Sequence, residues 1–212
     1  MTQSAQVSPR VLRHIIDEGR FCEDEIAAEY YGGVLASART SNSRDDRGVT
    51  VLSVIKDLSV YQLRFHFLAY CLFRKLFSGQ PLNVGDSGDL HKMRIFIPEV
   101  VYQRAMDFAE GEDSDVILAH CLCGLHRHGL IGYEFSCGNA DSLKKQVAAI
   151  DSPGMIIEPS ILGAELFLWA LGLTGATGME FLHTDITISV HGVAIVEGAI
   201  AVDHMQRRKK EN

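Results

Sequence analysis

The stretch LSVYQLRFHFLAYCLFRKLFSG, residues 58–79, restricts the fold more than any other. Leu58, Tyr61, Phe65, Leu68, Leu72 and Leu76 recur at spacings of three and four, the period of one helix face. Ser59 and Gln62 stand in capping-box order, which marks the start, and Gly79 marks the stop. Phe67, Tyr70 and Phe73 fall off that stripe. A helix that is apolar on more than one side must be surrounded by other elements. The chain is therefore expected to pack helices around this one.

The preceding residues supply such helices. In SPRVLRHIIDEG, Ser8 is placed as N-cap and Pro9 at the first helical position, with Gly19 closing. CEDEIAAEYYGGVLASART opens on Glu23, Asp24 and Glu25, which suit the positive end of a helix dipole. Ile26, Tyr30 and Ser37 share one face, and Ala27, Tyr31 and Val34 the next. Gly32 and Gly33 inside this helix cost about 1 kcal/mol each relative to Ala, and the pair suggests close approach by another helix. SNSRDDRG, 41–48, is a polar break, and VTVLSVIKDL after it is read as helical, although its pattern also admits a strand.

Beyond a loop at 80–90, HKMRIFI suggests a short strand, and Pro98 opens the helix PEVVYQRAMDFA. DSDVILAHCLCGLHRHGL is a further helix, capped by Ser114 or Asp115 and closed by Gly129. LIGYEFS then alternates, with Ile131, Tyr133 and Phe135 to one side. A polar insert, 139–150, carries Leu143, Val147 and Ile150 at helical spacing; GMIIEPS is extended; ILGAELFLWALG is a helix. Helices ending in Gly-Leu-Ile, then strand, loop, strand and helix, is the order of a winged helix. The expected fold is mainly α: an N-terminal helical region, 1–79, then a winged-helix-like α+β module with a small antiparallel sheet, 80–172. Residues 173–203 are expected to form two strands or an extended arm that contacts a partner or covers the wing. The tail Arg207–Lys210 reads as a frayed, solvated end, or as a contact for nucleic acid or anionic lipid.

Charge and motif content narrow the functions. The net charge is −7, and between Glu99 and Asp203 fifteen acidic residues face four basic ones. Such a surface disfavours nucleic acid, whose binding needs Lys and Arg to replace phosphate counterions. The apolar runs are too short to span a bilayer and Glu165 interrupts the longest. Five cysteines, an odd number without regular spacing, suggest reduced, buried thiols in a cytoplasmic protein. Two cysteines and two histidines crowd into 121–128, but Cys121 and Cys123 diverge by about 200° on a helix. His120, Cys123 and Cys137 make at best a partial ligand set for zinc, which needs four converging groups. Phosphate loops, dinucleotide fingerprints and nucleophile elbows are missing from the sequence. Asp45 and Asp46 lie between arginines in the polar break, as a solvated loop would have them. Glu165, inside an apolar helix, is read as facing solvent or a nearby partner, the alternative being a buried group with a raised pKa.

EDEIAAEYYGGVLASART, followed by VTVLSVIKDLSVYQLRFHFLAYCLFR, resembles the Abi-alpha family of bacterial abortive-infection and phage-resistance proteins. Tyr30, Val34, Leu35 and Ala36 carry the first phrase; Val54, Ile55, Lys56, Leu58, Ser59 and Leu63 carry the second. Gly129–Ile131 and EPSILGAELF fit the later part, so the resemblance covers about residues 10–172. It departs at Val60, where proline is usual, and at Tyr30 or Tyr31, where tryptophan is usual. The resemblance implies a role in phage defence and supplies no catalytic residues. The expectation is a non-enzymatic interaction or sensor protein without cofactor, working through a protein partner or self-association. The alternative is a winged-helix nucleic-acid-binding regulator; an enzyme or metalloprotein centred on the Cys/His segment ranks third.

Overall fold

Thirteen of the eighteen residues of the helix Val60–Phe77 are buried, and the other elements enclose it. The computed structural model describes residues 6–19, 24–40, 45–173, 176–186, 188, 190 and 196–211. Strand β1 (Gln6–Val7) leads into α1 (Pro9–Gly19) and α2 (Glu25–Ser37) and pairs with β2 (Arg39–Thr40). Helix α3 (Arg47–Asp57) precedes α4 (Val60–Phe77), whose start carries the expected capping box: Gln62 N donates to the Ser59 hydroxyl, and Ser59 N donates to Gln62 Oε1. The polar break gives way to helix two residues earlier than the sequence suggests, at Arg47.

The second half contributes α5 (Ser87–Lys92), β3 (Ile95–Pro98), α6 (Glu99–Met106), α7 (Ser114–Arg127), β4 (Ser136–Gly138), α8 (Ala140–Lys144), β5 (Gly154–Ile157) and α9 (Ile161–Ala170). After a single 3-10 turn at Gly178–Glu180 come β6 (Ile200–Ala201) and α10 (Val202–Glu211). The protein is mainly helical with a small antiparallel sheet of order β4-β5-β3-β6. Ile95 faces Ile157, Phe96 faces Ile156 and Ile97 faces Met155. Alternation sends successive side chains to opposite faces. Ile95, Ile97, Met155 and Ile157 join the main core, while Phe96 and Ile156 join Leu143, Val147, Ile150 and Val202. The polar insert thus closes the second face of the sheet. The main core runs without a break from Val11 to Ala201.

Helix α2 crosses α9 closely, as the paired glycines suggested. A Cβ on Gly33 would overlap the Ala170 carbonyl, whereas Gly32 faces open space.

Three expectations need correction. The alternating run 130–135 is not strand; pairing begins only at Ser136. Gly132 N donates to the Glu158 carbonyl at 2.8 Å, and Glu134 N reaches the buried Glu158 carboxylate at 3.4 Å. These two bonds hold the chain in a turn, which leaves Ile131 3% exposed and Tyr133 86% exposed. The cap of α7 is Asp113, not Ser114 or Asp115; its carboxylate accepts from Asp115 N and Val116 N. Over 173–203, where two strands or an extended arm are expected, Thr187, Ser189 and 191–195 lie outside the described set, and the described residues include a 3-10 turn, the two-residue β6 and the start of α10. β6 pairs with β3, at the opposite edge of the sheet from β4. The main chain of the basic tail continues as helix to Glu211 rather than fraying from Arg207.

Candidate functional site

Helix α7 carries the Cys/His segment, and its geometry separates the residues that sequence places together. Cys121 is fully buried, and burial pushes its thiol up to about 12. Cys123 is exposed. His120 Nε2 lies 2.9 Å from the Ser59 hydroxyl across the α4–α7 contact, and Gln62 Nε2 donates to the His120 carbonyl at 3.1 Å. His126 packs edge-on to Tyr133 and against Phe135, with ring centroids 5.7 and 5.2 Å away. Cys137 sits on β4. Of the trio His120, Cys123 and Cys137, the histidine is thus bonded to α4, while the two thiols remain on the α7–β4 side. Among the described residues no three His, Cys, Asp or Glu side chains are placed to hold a metal ion.

A buried polar chain joins α2, α4 and α9. A carbonyl can only accept, so His66 Nε2 donates to the Gly163 carbonyl at 3.1 Å. That fixes Nδ1 as the acceptor for the Tyr30 hydroxyl, 2.6 Å away. Burial lowers the His66 pKa to about 3, so the ring is neutral. One turn further along α4, the Tyr70 hydroxyl donates to the Leu130 carbonyl at 2.8 Å and accepts from Ser160 N at 3.0 Å. The Ser160 hydroxyl donates to the Gly129 carbonyl and caps α9 through Gly163 N. The Tyr30, His66 and Tyr70 side chains are sealed from solvent, which suits them to fixing α9 and the Gly-Leu-Ile turn against α4 rather than to reacting with a substrate. Arg74, also buried, donates to the carbonyls of Phe181 and Thr184 and so anchors the segment after α9.

A groove opens between α3 and α9. Val51 and Val54 face Leu162, Leu166 and Trp169 across it, with Leu130 and Thr50 completing the lining, and its volume is about 230 Å³. Ile161 and Leu162 stand exposed at one end. Arg47 lies over the Trp169 ring at 5.7 Å and pairs with Asp45 at 2.7 Å. That pairing holds the Asp45 carboxyl below its usual range. Glu165 is half-buried on the rim: among the described residues it makes no ion pair, and it is close enough to Arg47 to favour the guanidinium charge. Sequence periodicity singled out Glu165 but missed Arg47, Val51 and Leu162 as neighbours. The available signal was an arginine at one helix start and a tryptophan in a uniformly apolar helix.

A second cleft, about 260 Å³, lies between the N-terminal ends of α6 and α7 and the β4–β5 edge. Glu99, Asp115, Cys137 and Asn139 line it, so it is acidic. The outer face of α7 exposes Asp115, Val116, His120, Cys123 and Arg127, of which only Arg127 is a fixed cation. No helix among the described residues is long and apolar enough to cross a membrane. Compared with protein-family models, curated proteins and solved structures, the chain matches none.

Proposed function

We propose that this chain is a non-enzymatic interaction or sensor protein of bacterial antiphage defence, acting through protein–protein contacts. The observation that carries the contact reading is the groove between α3 and α9, where half-buried Val54 and exposed Leu162 offer apolar surface beside Glu165. Apolar surface rimmed by charge is the usual form of a contact site. Its occupant is an amphipathic helix of a partner protein. An apolar stripe fills the groove, and a flanking Lys or Arg meets Glu165; the net charge of −7 favours a cationic partner. The defence role rests on the resemblance to the Abi-alpha family across α2, α3 and α4.

A nucleic-acid-binding regulator is the second reading. It draws support from the order β3, α6, α7, β4, β5 with β5 between β3 and β4, the connectivity of a winged helix. Against it stands the face of α7, where base recognition would need Arg, Lys, Asn or Gln and only Arg127 is on offer.

Phage challenge of a bacterium carrying the gene with its native neighbours tests the first reading. Expression of the wild-type chain lowers plaque counts, and Leu162→Glu restores them while leaving the thermal melt in place. Unchanged plaque counts with the wild type overturn the defence role, and full protection by Leu162→Glu overturns the groove. A salt-dependent shift of labelled DNA by the pure protein would install the second reading.

A further inference from the structure

Helix α7 runs antiparallel to the chain between Tyr133 and Gly138. Near its C-terminal end His126 packs on Tyr133 and Phe135, and near its N-terminal end Asp115 and Leu118 share a cleft with Cys137 and Gly138. Cys123 lies one turn before His126, about 60° round the helix and about 4.5 Å back along its axis. Cys137 lies two residues beyond Phe135, a step of about 6.6 Å in extended chain. The two thiols therefore arrive at the same level of the α7–β4 contact. Both residues are exposed, unlike Cys71 and Cys121, and neither is in a disulfide. β4 is a three-residue edge strand whose ladder partner among the described residues is β5. The Cys137 thiol is raised above its ordinary pKa by burial, by Cys123 and by Asp115, which independently places the two sulfurs within electrostatic reach.

We propose that Cys123 and Cys137 form a redox-modification site, at which a hydroperoxide converts the two thiols into an intramolecular disulfide tying α7 to β4. The thiolate of Cys123 attacks the outer oxygen of the peroxide. This breaks the O–O bond, forms a sulfenic acid and releases one water when the peroxide is hydrogen peroxide. The Cys137 sulfur then attacks the sulfenic sulfur and displaces hydroxide, which leaves as a second water with the Cys137 proton. Two thiols lose two electrons and two hydrogens, and the peroxide takes them up. Cys137 is placed for the second step by its level on β4, and it attacks as its thiolate, the proton passing to the departing hydroxide. The disulfide fastens the solvent face of α7 to the sheet edge, and so changes the surface that the second cleft presents.

The test uses the full chain with Cys22→Ser, since Cys22 lies outside the described residues, treated with equimolar hydrogen peroxide and then with N-ethylmaleimide under native conditions. Before oxidation two thiols are alkylated; afterwards neither is. Tryptic digestion without reductant then yields one species joining peptide 105–127 to peptide 128–144, and dithiothreitol separates it. Adding Cys123→Ser abolishes the link while Cys121 remains in the first peptide. The proposal fails if both thiols stay open to alkylation after peroxide, if the link persists in Cys123→Ser, or if the only disulfide joins two molecules.

Discussion

The hydroxyl of Tyr30 donates to Nδ1 of His66 at 2.6 Å, deep between α2 and α4. With Nε2 given to the Gly163 carbonyl, the ring is fully bonded only when neutral. Its pKa is lowered to about 3 by burial, against about 6.5 in an unfolded chain. Above about pH 6.5 the ring is neutral in both states and the stability is complete. Between that pH and about 3 the unfolded chain takes up a proton that the folded one refuses, so stability falls as pH falls. Chemical denaturation from about pH 7 to about pH 5 is expected to show a loss approaching 1.4 kcal/mol per pH unit at its steepest. His66→Gln, which keeps an acceptor and a donor, is expected to remove that slope; an unchanged slope would assign it to other groups.

The two glycines of α2 have opposite surroundings. Gly33→Ala forces a methyl into the Ala170 carbonyl and is expected to cost at least 1–3 kcal/mol as overpacking. Gly32→Ala adds a methyl to open space on a helix and is expected to gain up to about 1 kcal/mol. Paired thermal melts check the sign of each, and a Gly33→Ala variant as stable as the wild type would show that α9 can retreat.

Tyr70 ties the Gly-Leu-Ile turn and the start of α9 to α4 through one oxygen. Tyr70→Phe keeps the ring, which packs on Phe167, Phe73 and Phe181, and removes only that oxygen. The loss is expected at about 1–3 kcal/mol, because the Ser160 amide and the Leu130 carbonyl lose a buried partner. Amide hydrogen exchange should quicken at Ser160; urea melts measure the cost.

The start of α7 depends on one carboxylate. Asp113→Ala is expected to cost about 1 kcal/mol, since its side chain takes the amides of Asp115 and Val116. Asp115→Ala removes no cap and is expected to leave stability within about 0.5 kcal/mol. Urea titration of both variants separates the two assignments; equal losses would contradict the observed cap.

Helices α1, α2, α4, α6, α7 and α9 were legible because their signals are local. Pro9, the capping box at Ser59 and Gln62, and Gly129 each act within one turn of chain, and the stripe from Leu58 to Leu76 reports burial directly. α5 was not legible, since its six residues hold a single apolar side chain, Leu90, and so carry no apolar period. The cap of α7 was misplaced by one or two residues because Asp113, Ser114 and Asp115 are all acceptable caps, and only backbone geometry chooses among them. The run from Leu130 to Phe135 alternates like a strand, yet the Glu158 carbonyl and carboxylate, more than twenty residues away, hold it as a turn.

By itself, then, the sequence determined that a helix buried on most sides would stand at the centre, that small residues would let α2 meet another helix, and that the surface would be acidic. Those follow from period, side-chain size and charge, which belong to the chain before it folds. Only the tertiary structure decided that Gly33 meets Ala170, that His120 turns to Ser59, and that Arg47 and Glu165 flank one groove. Each of those joins residues distant in the chain, and no local pattern fixes which surface of one element lies on another.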